Sequence, residues 1–187
     1  MRWIQVWLAT VVTTAVLVGS VTDAQAVVRA GVDVRWMPVA LEDTKLEEVE
    51  LGGSQRQLES LGAGARLMLG FDAFAIGAKV NIARHTFADP DLSYTQVDTN
   101  LQARFILPST RLALYVEAGP SIALDLASTG YNAGIGAEVD VLGWPLVDLN
   151  LGIGAQYARV PVNAGPGLER INEGLRAIVY VGFDFSM

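Results

Sequence analysis

The chain has 187 residues, of which 51% are hydrophobic, and a formal net charge of −7. This length fits one domain with a sizeable core, and the acidic balance argues against binding to nucleic acid. The sequence contains no cysteine, which excludes disulfides and thiolate metal sites.

The first 26 residues have the three parts of a secretory signal. Arg2 precedes an apolar run from Trp3 to Val18, and a more polar stretch then ends in Ala24-Gln25-Ala26. A positive start, an apolar centre and an A-x-A site predict a signal peptide over residues 1–26, cleaved after Ala26. The less favoured alternative is an uncleaved membrane anchor. One domain is then expected over residues 27–187.

From Val28 to Trp36, apolar side chains alternate with polar ones, which is the period of a β-strand. The same alternation recurs to the end of the chain, and a helix over these segments would place Glu and Asp on apolar faces. The eight predicted strands are Val28–Trp36, Ser60–Phe71, Phe74–Ile82, Val97–Phe105, Leu112–Ile122, Tyr131–Val141, Val147–Tyr157 and Leu175–Phe185.

The connections between these strands alternate in length. The tight ones, rich in turn residues, are Gly70–Ala73, Pro108–Thr110 and Gly143–Pro145. The longer polar ones are Pro38–Gln57, His85–Tyr94, Asp125–Gly130 and Pro161–Gly174. Short turns at one rim and long links at the other are typical of outer-membrane barrels, and an even strand count returns both termini to the short-turn side.

Alternation alone leaves open which face is outside, because a soluble ligand-binding barrel would place the apolar set inside. Three features favour the inverse arrangement: most strand glycines fall in the polar set, the last strand is rich in aromatic residues, and the aromatics of the apolar set form two bands. The first band, near the short-turn rim, comprises Phe71, Phe74, Phe105, Trp144, Phe183 and Phe185, and the second comprises Trp36, Tyr131 and Tyr157. These nine residues are predicted to lie at the membrane interfaces.

A sheet with an apolar exterior in lipid must close, since its backbone polar groups have no water partner there. The lumen of an eight-stranded barrel is just wide enough to be filled by side chains. Six basic and seven acidic side chains are predicted to fill it: Arg29, Asp33, Arg35, Arg66, Lys79, Asp98, Arg104, Glu117, Glu138, Asp140, Asp148, Arg176 and Asp184. This near balance predicts a polar plug of ion pairs; a gated or leaky pore is the alternative.

Two segments resemble the small eight-stranded outer-membrane barrels, the opacity-protein and outer-membrane-protein-A-like group. They are LQARFILPSTRLALYVEAGPSIALD, from Leu101 to Asp125, and YNAGIGAEVDV, from Tyr131 to Val141. The resemblance implies an all-β, eight-stranded antiparallel up-and-down transmembrane β-barrel in the outer membrane of a Gram-negative-type bacterium. It also implies contact with outer-membrane lipid and lipopolysaccharide.

The group's terminal aromatic residue, taken to be read by the barrel assembly machinery, corresponds to Phe185, which Ser186 and Met187 follow. No peptidoglycan-binding domain follows the last predicted strand, so the cell-wall tether that some members of the group carry is not inferred for this chain.

His85 is the only histidine, and Asp89, Asp91 and Ser93 share its predicted loop. Some barrels of this size are lipid-modifying enzymes or proteases that use a histidine near the outer rim. Since no motif spacing supports catalysis, His85 is predicted to be a solvated or interfacial side chain.

The first long link carries five acidic residues, Glu42, Asp43, Glu47, Glu48 and Glu50. Their spacing matches no calcium loop, so a solvated charged loop is favoured over a divalent-cation site. Neither a catalytic residue nor a metal or cofactor is predicted.

The sequence therefore favours a structural or surface-interaction role, with loops that contact the environment and no identified extracellular ligand. Two alternatives stay open: a barrel enzyme acting on lipid or peptide at the outer rim, and a narrow porin.

Overall fold

The computed structural model describes residues 27–38, 45–48, 54–71, 73–87, 93–144, 146–163 and 169–186. The strands are β1 (Val27–Met37), β2 (Lys45–Glu48), β3 (Ser54–Phe71), β4 (Phe74–Phe87), β5 (Tyr94–Ile106), β6 (Leu112–Ala123), β7 (Ser128–Gly143), β8 (Val147–Asn163) and β9 (Glu169–Ser186). A 3-10 turn, Leu124–Leu126, joins β6 to β7. Within the described ranges, no helix is both long and apolar enough to cross a membrane. The predicted signal peptide lies outside the described residues.

The eight long strands form a closed antiparallel barrel. From β3 to β9, each strand pairs with the one that follows it in the chain, and β1 closes the ring by pairing with both β3 and β9. The predicted eight-stranded up-and-down barrel is therefore confirmed. Beyond the end of β1, the short β2 occupies the same position between neighbouring strands, because it also pairs with β3 and β9.

The short-turn rim is built as the sequence predicts. Only residues 72 and 73 separate β3 from β4, and the turn between β5 and β6 places Ser109 at a φ of 62°. The Trp144 N–H donates to the Val147 carbonyl, 2.8 Å away, and this bond closes the turn before β8. Both described ends of the barrel reach this rim, since Val27 lies opposite Gly70 and Ser186 opposite Arg29.

At the opposite rim the strands extend further than predicted. Strand β4 continues to Phe87, β7 begins at Ser128, and β9 begins at Glu169. The first long link was predicted as a loop throughout, and this prediction was wrong because the link contains β2. The sequence does not predict these extra strand residues because apolar-polar alternation ends where both faces of the wall become polar. The backbone hydrogen bonds between neighbouring strands nevertheless continue.

The barrel has its apolar face outside and its polar face inside. In β9, Val181 is 45% exposed, whereas the adjacent Tyr180 points inward and is 2% exposed. In β7, Ile135 is 63% exposed and Glu138 only 1%. The predicted orientation of the two faces is confirmed, and the core of this protein is a polar lumen.

Candidate functional site: the barrel lumen

The barrel encloses most of the ionisable side chains predicted for the lumen. Ten are buried: Asp33, Arg35, Arg66, Lys79, Asp98, Arg104, Glu117, Glu138, Arg176 and Asp184. The other three, Arg29, Asp140 and Asp148, are partly exposed near the short-turn rim. The structure sorts the buried charges into three layers, which we call the inner, middle and outer layers, counted from the short-turn rim.

In the inner layer, two arginines and two carboxylates are cross-paired. Arg66 donates to Glu138 over 2.8 Å and to Asp184 over 2.5 Å. Arg104 also pairs with both carboxylates, at 3.1 Å from Asp184 and in close contact with Glu138. The Tyr180 hydroxyl donates a further bond of 2.7 Å to Glu138. The four charged residues come from β3, β5, β7 and β9, so this ring of charge-assisted bonds spans the lumen.

The middle layer is held around Asp33. Its carboxylate lies 3.1 Å from the Arg35 guanidinium and 3.0 Å from the Lys79 ammonium. The Lys79 ammonium also lies 5.0 Å from the centre of the Tyr180 ring, within cation–π range. Glu117 accepts a bond of 3.1 Å from the Gln102 amide. The layer contains two positive and two negative groups and is neutral.

Two tyrosines and their apolar neighbours fill the lumen beside the middle layer. Tyr115 and Tyr180 pack edge to face at 6.1 Å and form one buried cluster with Met37, Ala83 and Ile178. We call this set the tyrosine cluster.

Glycines on neighbouring strands make room for the two tyrosine rings. A Cβ on Gly152 would lie 2.0 Å from Cζ of Tyr180, and a Cβ on Gly154 would lie 2.5 Å from the Tyr115 hydroxyl. The lumen glycines therefore provide the volume that large side chains occupy.

In the outer layer, the Asp98 carboxylate is bound by neutral donors. It accepts 2.6 Å bonds from Gln96 and Ser121 and a 3.2 Å bond from Gln156. The Gln156 amide donates to Asn132 as well, which extends the network across the lumen.

His85 is buried in the outer layer, and the prediction of a solvated or interfacial histidine was wrong. Its Nδ1 lies 2.6 Å from the Ser60 hydroxyl, and its Nε2 lies 3.5 Å from Arg176. The Tyr94 ring packs on the imidazole with a centroid distance of 5.1 Å. The cause is the extension of β4: position 85 has the same parity as Lys79 and faces the lumen. Asp89 and Asp91, its predicted neighbours, lie outside the described residues, and Ser93 is partly exposed.

The predicted interface aromatics lie on the outside of the barrel. Seven of them are between 42% and 54% exposed: Trp36, Phe74, Phe105, Tyr131, Trp144, Phe183 and Phe185. Phe71 and Tyr157 are partly exposed.

Toward the rim opposite the short turns, the outward-facing side chains change from apolar to polar. Arg84 pairs with Asp125 at 3.0 Å and Arg159 pairs with Glu173 at 3.1 Å; all four side chains are about half exposed.

The sequence-based site omits the neutral members of the network, of which Tyr94, Gln96, Gln156 and Tyr180 are each at most 2% exposed. Strand parity gives the signal that would have found them, because each stands two residues or a multiple of two from a charged lumen residue.

Within the described ranges, no group of three or more His, Cys, Asp or Glu side chains is placed to hold a metal ion. Of the acidic first loop, Glu47 and Glu48 belong to β2, and Glu42, Asp43 and Glu50 lie outside the described residues.

The closed ring, its polar filling and its apolar exterior are together the arrangement of a transmembrane barrel rather than of a soluble one. The chain has the fold of a closed, eight-stranded antiparallel transmembrane β-barrel. No protein-family model and no curated protein matches the sequence.

Solved structures that are similar in shape include two natural proteins and one designed protein. Neisserial surface protein A (NspA) is 13% identical, with a TM-score of 0.47 over 87% of this chain and 97% of NspA. A de novo designed transmembrane β-barrel is 12% identical, with a TM-score of 0.39 over 87% of this chain and 94% of the design. An outer membrane channel from Pseudomonas putida F1 is 8% identical, with a TM-score of 0.31 over 88% of this chain and 96% of the channel.

Proposed function

We propose that this protein is exported by its signal peptide and resides in a bacterial outer membrane. Its barrel is a closed anchor that does not conduct, and its outer links face the surroundings and carry the contacts with partners. The barrel assembly machinery inserts it, and outer-membrane lipid and lipopolysaccharide surround it. The observation that carries this proposal is an apolar exterior of membrane height around a lumen filled with side chains.

The height of the apolar exterior fits a lipid bilayer. In β4 the outward side chains are apolar from Phe74 to Ile82, and Arg84 follows. In β9 they are apolar from Phe185 back to Leu175, and Glu173 follows. A tilted strand needs about 9–11 residues to cross a bilayer, which these stretches provide. Closure of the ring satisfies the backbone groups that lipid cannot bind.

The filling of the lumen argues against the narrow porin. The inner layer connects four alternate strands across the barrel, and the tyrosine cluster adds an apolar obstacle beside the middle layer. An ion crossing the barrel would have to separate buried ion pairs and then displace two packed aromatic rings, both of which are costly.

The contact between Ser60 and His85 has the atoms of a hydrolytic dyad, but the charge beside the histidine opposes that chemistry. A general-base histidine becomes positively charged in the reaction, and a carboxylate on its second nitrogen normally stabilises that charge. Here the second nitrogen of His85 faces the Arg176 guanidinium, which opposes the same charge. Ser60 is fully buried, so a lipid or peptide bond would not reach its hydroxyl.

Cysteine labelling tests the membrane placement, because the native chain has no cysteine to interfere. Thr129→Cys lies at the outer rim, Ser109→Cys in a short turn, and Ile153→Cys in the apolar exterior. A membrane-impermeant maleimide should label Thr129→Cys on intact cells, Ser109→Cys only after the outer membrane is permeabilised, and Ile153→Cys in neither case. Labelling of all three variants in a soluble fraction would refute the proposal.

Planar-bilayer recordings of the purified, refolded protein test the closed lumen. No steady conductance is expected from the native protein, and Tyr180→Ala, which removes a ring from the tyrosine cluster, should increase leakage. Steady native conductance would establish the porin instead.

Ser60→Ala and His85→Ala should leave lipid A composition and surface proteolysis unchanged; a loss of either activity would establish the enzyme.

A further inference from the structure

Arg176 is a buried cation that lacks a charged partner among the described residues. Its side chain is 0% exposed, and its Nε and Nη2 atoms have no hydrogen-bond partner within the described ranges. By contrast, Arg66 of the inner layer contacts two carboxylates and Arg104 contacts three. The polar neighbours of the Arg176 guanidinium, the His85 imidazole and the Tyr94 hydroxyl, supply no negative charge in their neutral forms.

The buried positive charge of Arg176 requires a compensating negative charge. A guanidinium stays protonated in proteins, so Arg176 cannot become neutral as a buried lysine can. An isolated buried charge is strongly destabilising unless it is paired and hydrogen-bonded. The acid of the outer layer, Asp98, accepts bonds from three neutral donors and makes no ion pair with Arg176.

The two unused donors have the geometry of an anion site. In a planar guanidinium, Nε and Nη2 lie on one edge and direct two nearly parallel N–H bonds to the same side. This edge is the one that binds anions side-on, and charge-assisted bonds of this type are among the strongest in proteins. The His85 contact uses the other end of the group and leaves this edge available.

The surroundings limit the size of an occupant. Along β9, Arg176 stands between Ile178, which belongs to the tyrosine cluster, and Asn172, which donates to the Tyr94 hydroxyl. Tyr94 in turn packs with Ala123 and Val160 in a second apolar cluster. Apolar groups on both sides of the outer layer and a lumen of eight strands favour an ion of one atom over a phosphate or a carboxylate-bearing ligand.

We propose that the Nε–Nη2 edge of Arg176 binds one halide ion, chloride in a natural setting, inside the outer half of the barrel. The ion neutralises Arg176 and completes the outer layer. This site depends on the barrel fold but is independent of the surface role proposed above, so either can fail without the other.

Crystals of the mature protein grown in sodium bromide test the site without any substitution. An anomalous bromide peak is expected within about 3.5 Å of Nε and Nη2 of Arg176, at hydrogen-bonding range for a large anion. Density with no anomalous signal at this edge would identify water and overturn the proposal, as would an edge bonded to a protein carboxylate.

Thermal unfolding of the refolded protein in detergent gives a second test. At constant ionic strength, replacing sodium gluconate, whose anion is too large, with sodium chloride or bromide should raise the unfolding temperature by about 3 °C or more. Arg176→Gln should abolish this rise, and Arg84→Gln, at an exposed arginine, should retain it. An equal rise in native protein and Arg176→Gln would overturn the proposal, as would no rise in native protein.

Discussion

The inner and outer layers of the lumen carry balanced charge but satisfy it in different ways. In the inner layer, Arg66 and Arg104 share Glu138 and Asp184, so every charge touches at least two of opposite sign. In the outer layer, Asp98 is bound by neutral donors and makes no ion pair with the buried Arg176. Charge balance within a layer therefore does not establish that the charges are paired.

The difference has a structural consequence. The inner ring ties four alternate strands together, so it defines their relative register as well as contributing to stability. Around Asp98, the outer layer is a network of amides and hydroxyls, whose members can rotate to restore their hydrogen bonds. We expect the inner layer to be rigid and sensitive to substitution, and the outer layer to be more tolerant.

Glu138→Ala should have the largest effect on this comparison. The change leaves two buried arginines with Asp184 as their remaining strong partner and removes the acceptor of the Tyr180 hydroxyl. The expected loss is about 3–5 kcal/mol in the free energy of unfolding, measured by urea titration of the barrel in vesicles.

The matched control for Glu138→Ala is Glu117→Ala, since Glu117 is also a buried carboxylate but accepts its hydrogen bond from the neutral Gln102. A smaller loss, of about 1–3 kcal/mol, is expected there. Equal losses at the two positions would show that cross-pairing adds nothing to stability.

Gly152→Ala should disturb the inner half of the lumen by steric overlap. The new Cβ would lie 2.0 Å from Cζ of Tyr180, and overpacking of this kind costs about 1–3 kcal/mol. Gly70→Ala is the control, because its nearest neighbour would lie at 3.5 Å. In a Tyr180→Ala background the cost of Gly152→Ala should fall; an unchanged cost would mean that the ring is not the obstacle.

Asp98→Asn should cost less, about 1 kcal/mol in the same urea titration. The substitution removes a charge whose donors are neutral amides and a hydroxyl, and amides can rotate to restore most of the bonds. Asp184→Asn, in the inner layer, is the comparison and should cost clearly more. Should the outer substitution be the more damaging one, the proposed difference between the layers would be reversed.

Asp125→Ala provides the lower end of the scale. Its pair with Arg84 is about half exposed, and exposed pairs contribute about 0–1 kcal/mol. The remaining effect should decrease further as salt is added. A loss as large as that of Glu138→Ala would mean that this rim is less hydrated than its exposure indicates.

The sequence predicts the wall of this barrel well because lipid and lumen impose opposite chemistry on alternate residues. The segment from Leu175 to Phe185 shows both faces without any knowledge of its neighbours. Beyond the apolar exterior, toward the rim opposite the short turns, the contrast between an apolar and a polar face disappears. The extra length of β4 and the inward position of His85 were missed for this reason.

The pairing inside the lumen is harder to predict than its composition. Arg66 faces inward by parity, but its partners Glu138 and Asp184 stand 72 and 118 residues later in the chain. Their contact depends on the stagger of the whole ring, which no local pattern contains. The same stagger leaves Arg176 without an ionic partner among the described residues. A list of the charged residues in the lumen could not predict this.

The small strand β2 has a consequence for how copies of this protein behave together. Strands β3 and β9 rise above the end of β1, and β2 binds the backbone edges that both would otherwise present. Open edges of this kind recruit strands from other molecules. Removal of residues 45–48 should therefore leave a folded barrel that self-associates through its upper wall.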